Sequence, residues 1–273
     1  MEDDDKPVGR VLSRRGALAV LGFGSIGIVT AGIGVANAAT GTSAATTVAE
    51  ATGGTADCVV KPEMTEGPYF VDENLDRSDL RTEPTTGEQV DGTTLVLDLT
   101  VLQVTDGTCV ALPDAKVDIW QCDALGVYSD VAAQGTTGLS YLRGYQATDS
   151  DGLASFTTVL PGWYSGRTVH IHVKIQTTGT DGNAYEFTSQ LYLPEDFTTQ
   201  YLAEGVYATN GTADTTNATD MHYANGGDQM LLDPVSTDDG YRASFAIALD
   251  LSDTEVGADD AFSLPGGGPS PTA

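Results

Sequence analysis

Positive charge is the first thing this chain has little of. Its 273 residues carry 12 Lys and Arg against 39 Asp and Glu, a formal net charge of -27. So acidic a surface repels phosphate backbones, which excludes nucleic acid as a partner. Cysteine is scarce as well. Cys58, Cys109 and Cys122 form no Cys-x-x-Cys pair, and no Cys/His spacing suggests structural zinc. The glycine- and serine-rich stretches contain neither a phosphate-cradling loop nor a nucleophile elbow. Asp149-Ser150-Asp151-Gly152 lacks the later glutamate of a calcium loop and reads as a turn.

Long apolar runs are also missing, with one exception at the N-terminus. Ser13-Arg14-Arg15 precedes a glycine-diluted apolar run from Ala17 to Val35, followed by Ala36-Asn37-Ala38. Paired arginines, weak hydrophobicity and an Ala-x-Ala exit match a twin-arginine export signal. The alternative is an uncleaved anchor, since the run is just long enough to span a bilayer. Gly22, Gly24, Gly27, Gly32 and Gly34 favour cleavage after Ala38. The expectation is a signal peptide over 1–38 and a secreted product with no stable membrane insertion. A small-residue spacer over 39–56 and a Gly/Pro-rich tail over 253–273 are expected to be disordered, leaving one domain over 57–252.

An oxidising destination makes a disulfide plausible. Lys116–Cys122 reads as a strand spanning about 20 Å. That is far beyond the roughly 6 Å Cα separation of a bridge, so Cys109 and Cys122 do not pair. Cys58–Cys109 is the preferred pair and Cys122 a buried free thiol.

The periodicity is mostly 2. Strands are expected over 95–102, 115–120, 154–159, 169–176, 185–193 and 241–251, with short helices only at 194–206 and 228–233. Many short strands at regular spacing predict an all-β fold, a single sandwich of mostly antiparallel strands with long loops and few short helices.

What is present is a set of potential ligands. His170-Ile171-His172 lies in an apolar strand, and residues i and i+2 share a face, so both imidazoles point the same way. Alone, such a pair is more often hydrogen-bonded than metal-bound. Tyr164 follows Pro161-Gly162-Trp163, where it could equally be a turn aromatic, and Tyr128 follows Gly126-Val127, where it could end a strand. Together, two phenols and two imidazoles suit a hard, highly charged cation such as non-haem Fe(III), because tyrosinate is a hard anionic oxygen. Arg167 would stand beside such an ion and stabilise developing negative charge. His222, in a polar loop, is expected to be solvated, and Tyr185 and Tyr192 to lie in the sandwich core.

Beyond those residues, the chain resembles the intradiol ring-cleavage dioxygenases, the catechol and protocatechuate dioxygenase superfamily. Thr65-Glu66-Gly67-Pro68-Tyr69-Phe70 is similar to an early Gly-Pro-Tyr segment of that family. Asp118 through Tyr128, Pro161-Gly162-Trp163-Tyr164, Arg167 with His170-Ile171-His172, and Ser189-Gln190-Leu191-Tyr192 follow in the family's order. The resemblance implies that Tyr128, Tyr164, His170 and His172 bind Fe(III) and that Tyr164 leaves when a catechol arrives. It further implies that Arg167 stabilises charge, that Tyr69 and Gln190 shape the pocket, and that O2 opens the ring to a muconate-type diacid. No helical dimerisation segment fits between spacer and Cys58, so the resemblance is closest to the small secreted branch. Rival readings are a secreted sandwich that binds catechol-like or siderophore ligands without turnover, and a purely structural module. The preferred catechol and the oligomeric state stay open.

Overall fold

The computed structural model describes residues 58–253. The expected signal over 1–38, the spacer over 39–56 and all of the tail but Asp253 lie outside them. Among the described residues nine strands form two sheets. In the first, β1 (Thr94–Thr105) runs parallel to β9 (Gly240–Leu249). Its other side pairs antiparallel with β5 (Leu153–Val159) and then β2 (Thr108–Ala111), while β8 (Val235–Thr237) edges β9. The second sheet has the order β4 (Arg143–Ala147), β3 (Lys116–Trp120), β6 (His170–Thr178), β7 (Ala184–Tyr192), all antiparallel. The single α-helix among the described residues, α1, spans Glu195–Leu202. The sandwich is therefore all-β, as its alternation predicts.

Alternation also accounts for the core. Leu95, Leu97, Leu99 and Val101 of β1 point inward against Val117 and Ile119, Ile171, Val173 and Ile175, and Phe187 and Leu191. Burying such a face pins register, because a slip by one residue would turn every apolar side chain to the wrong side. Three strands escape the expected pattern. β8 is exposed throughout and β2 lies at a half-exposed edge, so neither shows an apolar period. β4 is Arg-Gly-Tyr-Gln-Ala, whose buried first residue is a cation. The helix expected at 228–233 is only a 3₁₀ turn at Gly227–Gln229. Cys58 and Cys109 are bridged, with Cα atoms 5.5 Å apart, and Cys122 is a buried free thiol.

The outer face of the second sheet carries the polar side chains. Strand pairing aligns Arg143, Trp120, His172 and Gln190 in one row across β4, β3, β6 and β7. All four are buried. The segment around Tyr69 and Phe70 packs onto this face, with Phe70 4.8 Å from Trp120 between ring centroids.

Candidate metal centre

β6 supplies the histidines, since Ile171 between them points into the core. The Nδ1 of His170 lies 2.6 Å from the carbonyl of Thr168. That carbonyl can only accept, so the proton sits on Nδ1 and the Nε2 lone pair faces the site. Nε2 of His172 is 3.1 Å away and the hydroxyl of Tyr164 is 3.2 Å from the same His170 nitrogen. Burial, and then the Arg167 charge, push the His170 pKa far below the ordinary imidazole value. Burial and then His170 do the same to His172. Both rings are therefore neutral, the state a ligand needs.

The tyrosines arrive on two loops that touch backbone to backbone. Asp123 shapes the first by accepting the amides of Leu125 and Val127 at 2.8 and 2.9 Å. Its carbonyl accepts the amide of Gly162 at 2.9 Å, joining the first loop to the second. The crossing demands glycine. A Cβ on Gly126, at φ +82°, would stand 2.2 Å from the carbonyl oxygen of Trp163, and one on Gly162 2.4 Å from that of Ala124. Tyr128 is then held by its amide on the Gln134 side chain at 2.6 Å and by its carbonyl on the Thr136 hydroxyl at 2.6 Å.

The two phenols differ. Tyr128 is fully buried against Trp120 and Cys122, and its hydroxyl has no hydrogen bond of ordinary geometry. Burial, with Tyr164 adding to it, raises its pKa well above the free phenol's. Tyr164 is only half-buried and is followed by exposed Ser165 and Gly166. Their rings are 5.8 Å apart, and Tyr69 packs on Tyr128 with centroids 4.6 Å apart and planes tilted by 32°.

These atoms fit a trivalent ion. Two cis ligands each about 2.1 Å from one metal lie about 3.0 Å apart, close to the 3.1 and 3.2 Å contacts here. A bound cation would also reverse the raised pKa of the buried Tyr128 phenol. Among the described residues no three His, Cys, Asp or Glu side chains converge on a metal position. The side chains beside the histidine pair that could complete an ion's shell are the two phenols.

Beside the histidines stands Arg167, also buried. Its Nε donates to Asp220 at 2.9 Å and its Nη2 donates to Gln190 Oε1. Burial works against its charge, but Tyr164, Asp220 and Tyr192 outweigh that and raise its pKa. Gln190 is fixed in turn, donating to the Thr65 carbonyl at 3.1 Å and accepting from Tyr192 at 3.0 Å.

All seven expected site residues thus come together on one sheet face, and several neighbours were not foreseen. Asp220 accepts four hydrogen bonds, from Arg167 Nε, the amide of Thr168 and the amides of His222 and Tyr223, all at 2.8 to 2.9 Å. His222, expected in solvent, is buried, because Asp220 folds its loop back over Arg167. Tyr185 and Tyr192 both lie in the buried core, as expected, and the ring of Tyr192, on the opposite face of β7 from Tyr185, stands 6.3 Å from that of His170. Arg143 donates to Ser129, which follows Tyr128, and to the Tyr69 carbonyl. A polar residue in a buried row carries no sequence signal of its own.

A protein-family model described as "Dioxygenase" matches residues 65–231. An intradiol ring-cleavage dioxygenase from Tetranychus urticae is 27% identical over 71% of this chain and 96% of its own, with a TM-score of 0.62. The dioxygenase domain of a dioxygenase carbohydrate-binding protein fusion from Streptomyces sp. SirexAA-E is 30% identical over 70% of this chain and 99% of its own, with a TM-score of 0.51. No curated protein matches the chain in sequence.

Proposed function

The chain belongs to the intradiol ring-cleavage dioxygenase family, and from that premise we propose an exported enzyme that holds non-haem Fe(III) between Tyr128, Tyr164, His170 and His172 and opens catechols with O2. The observation that carries this reading is the approach of His172 Nε2 and the Tyr164 hydroxyl to 3.1 and 3.2 Å from His170 Nε2, beside the buried phenol of Tyr128.

Fe(III) held there would supply a Lewis acid for the two oxygens of a catechol and make its ring electron-rich toward O2. The chain supplies the rest. Tyr164, the more exposed phenol, is the group that moves aside and accepts a catechol proton on Oη. Tyr128, locked by Gln134 and Thr136, stays in place. Arg167 keeps its positive charge and faces the negative charge that develops on the substrate. Asp220 and Gln190 hold its guanidinium so that little reorganisation is needed. The ring of Tyr69, packed against Tyr128, forms an apolar wall for an aromatic substrate.

Export rests on Arg14-Arg15 and the Ala-x-Ala exit. A disulfide in the described domain supports an oxidising destination. Oxygen uptake tests the activity across catechol, protocatechuate, hydroxyquinol and caffeate-like compounds. The expected product of catechol is a cis,cis-muconate-type diacid carrying both atoms of labelled O2. No uptake with any of them by iron-loaded protein would overturn the reading.

A further inference from the structure

The two histidines are held in different ways. His170 has its Nδ1 fixed by the Thr168 carbonyl at 2.6 Å, the usual device by which a protein sets the ring plane and tautomer of a metal-binding histidine. His172 has no such support, for its buried Nδ1 lacks any protein hydrogen-bond partner. Its ring instead lies flat against the indole of Trp120, with centroids 4.7 Å apart and planes within 8° of parallel. Strand register produces the pair, because Trp120 on β3 stands directly opposite His172 on β6. Directly opposed side chains have Cβ atoms about 5 Å apart, which suits two stacked rings.

The indole is itself constrained. It is buried, its Nε1 has no protein hydrogen-bond partner, and Phe70 packs on it at 4.8 Å. Packing alone sets its plane. In the row Arg143–Trp120–His172–Gln190, it is the rigid flat body between a cation and a candidate ligand.

We propose that Trp120 is a positioning residue for the metal centre, its indole fixing the ring plane of His172 by face-to-face stacking where a hydrogen bond to Nδ1 would ordinarily do so. This rests on the reading that His172 binds iron. An aromatic replacement keeps a flat face against the imidazole, whereas an aliphatic one lets the ring rotate about χ2 and swing its lone pair off the ion. Loss of an outer support of this kind weakens metal binding by about 10- to 100-fold.

The test compares full-length wild type, Trp120→Phe and Trp120→Leu loaded with iron, following release to a competing chelator at the phenolate-to-iron absorption band. Trp120→Leu is expected to release iron at least about tenfold faster, with a shifted and broadened band, and Trp120→Phe to stay within about threefold of wild type. A role in packing alone would lower the thermal stability of both variants without moving the band of either. Equal release and unchanged bands in all three proteins would overturn the proposal. So would equal losses in Phe and Leu. Should Trp120→Leu not fold, Trp120→Met carries the same expectation and the same refutation. Wild-type protein that takes up no iron and shows no band fails the iron reading itself, which distinguishes the two failures.

Discussion

Replacing Asp220 by Asn tests how Arg167 is held. The carboxylate sits with no exposed side-chain surface and accepts four donors. Asn keeps one acceptor, enough for the amides of His222 and Tyr223. Its NH2 group must then face Arg167 Nε–H and the Thr168 amide, so donors oppose donors and the guanidinium stays buried without its counter-charge. Breaking one side of a buried ion pair costs about 3–5 kcal/mol, and the two surviving bonds put Asp220→Asn near the lower end. Arg167→Met alone should cost a similar amount, because it strands the carboxylate. The double variant removes both charges, so it should be less damaging than the two losses added, by about 2 kcal/mol or more. Urea unfolding at pH 7, read by the fluorescence of Trp120 and Trp163, measures all three. With Arg167 untethered, kcat for ring opening should fall about tenfold to a hundredfold. An Asp220→Asn loss under about 0.5 kcal/mol, or losses that simply add, would refute the coupling.

Gly126→Ala should destabilise the domain by about 3 kcal/mol, combining left-handed strain with a backbone collision. Gly87→Ala, at φ +74° with nothing within 4 Å, should lose only about 1 kcal/mol in the same urea unfolding assay. Equal losses would mean that the crossing of the two tyrosine loops is not tight. Asp118 faces the opposite way in pH from an ordinary paired carboxylate. Burial raises its pKa to about 6, against the partial relief of Lys116 at 3.4 Å. With a folded pKa above the unfolded value near 3.9, the fold prefers the protonated form. Its penalty is therefore absent below about pH 4, develops as pH rises to about 6, and is full above that, on the order of 2–3 kcal/mol. Asp118→Asn should accordingly stabilise the protein at pH 7.5 and leave it unchanged at pH 4. A uniform shift at both values would count against the raised pKa.

Strands that bury one face were legible as alternation, which is why β1, β3, β5, β6, β7 and β9 could be anticipated. β8 could not be, because none of its residues is buried. The ligand candidates were legible because strand geometry dictates that His170 and His172 share a face, and because family order places Tyr128, Tyr164 and Arg167. Their supports were hidden for a common reason. Asp220 and His222 sit in a segment as polar as any exposed loop, and only the fold shows that its carboxylate closes over Arg167. Arg143 looks like a surface cation, yet it is buried with its donors spent on Ser129 and the Tyr69 carbonyl. Trp120 ends the strand expected over 115–120, and its contact with His172 depends on a strand register that sequence alone does not specify.

The most direct test is an anomalous difference map at the iron absorption edge from crystals of the purified, iron-loaded protein. A single peak is expected within bonding distance of Tyr128 Oη, Tyr164 Oη, His170 Nε2 and His172 Nε2, and it should vanish in His172→Ala. No peak between those four side chains in the wild type, or a peak that survives His172→Ala, would contradict a ferric centre built from them.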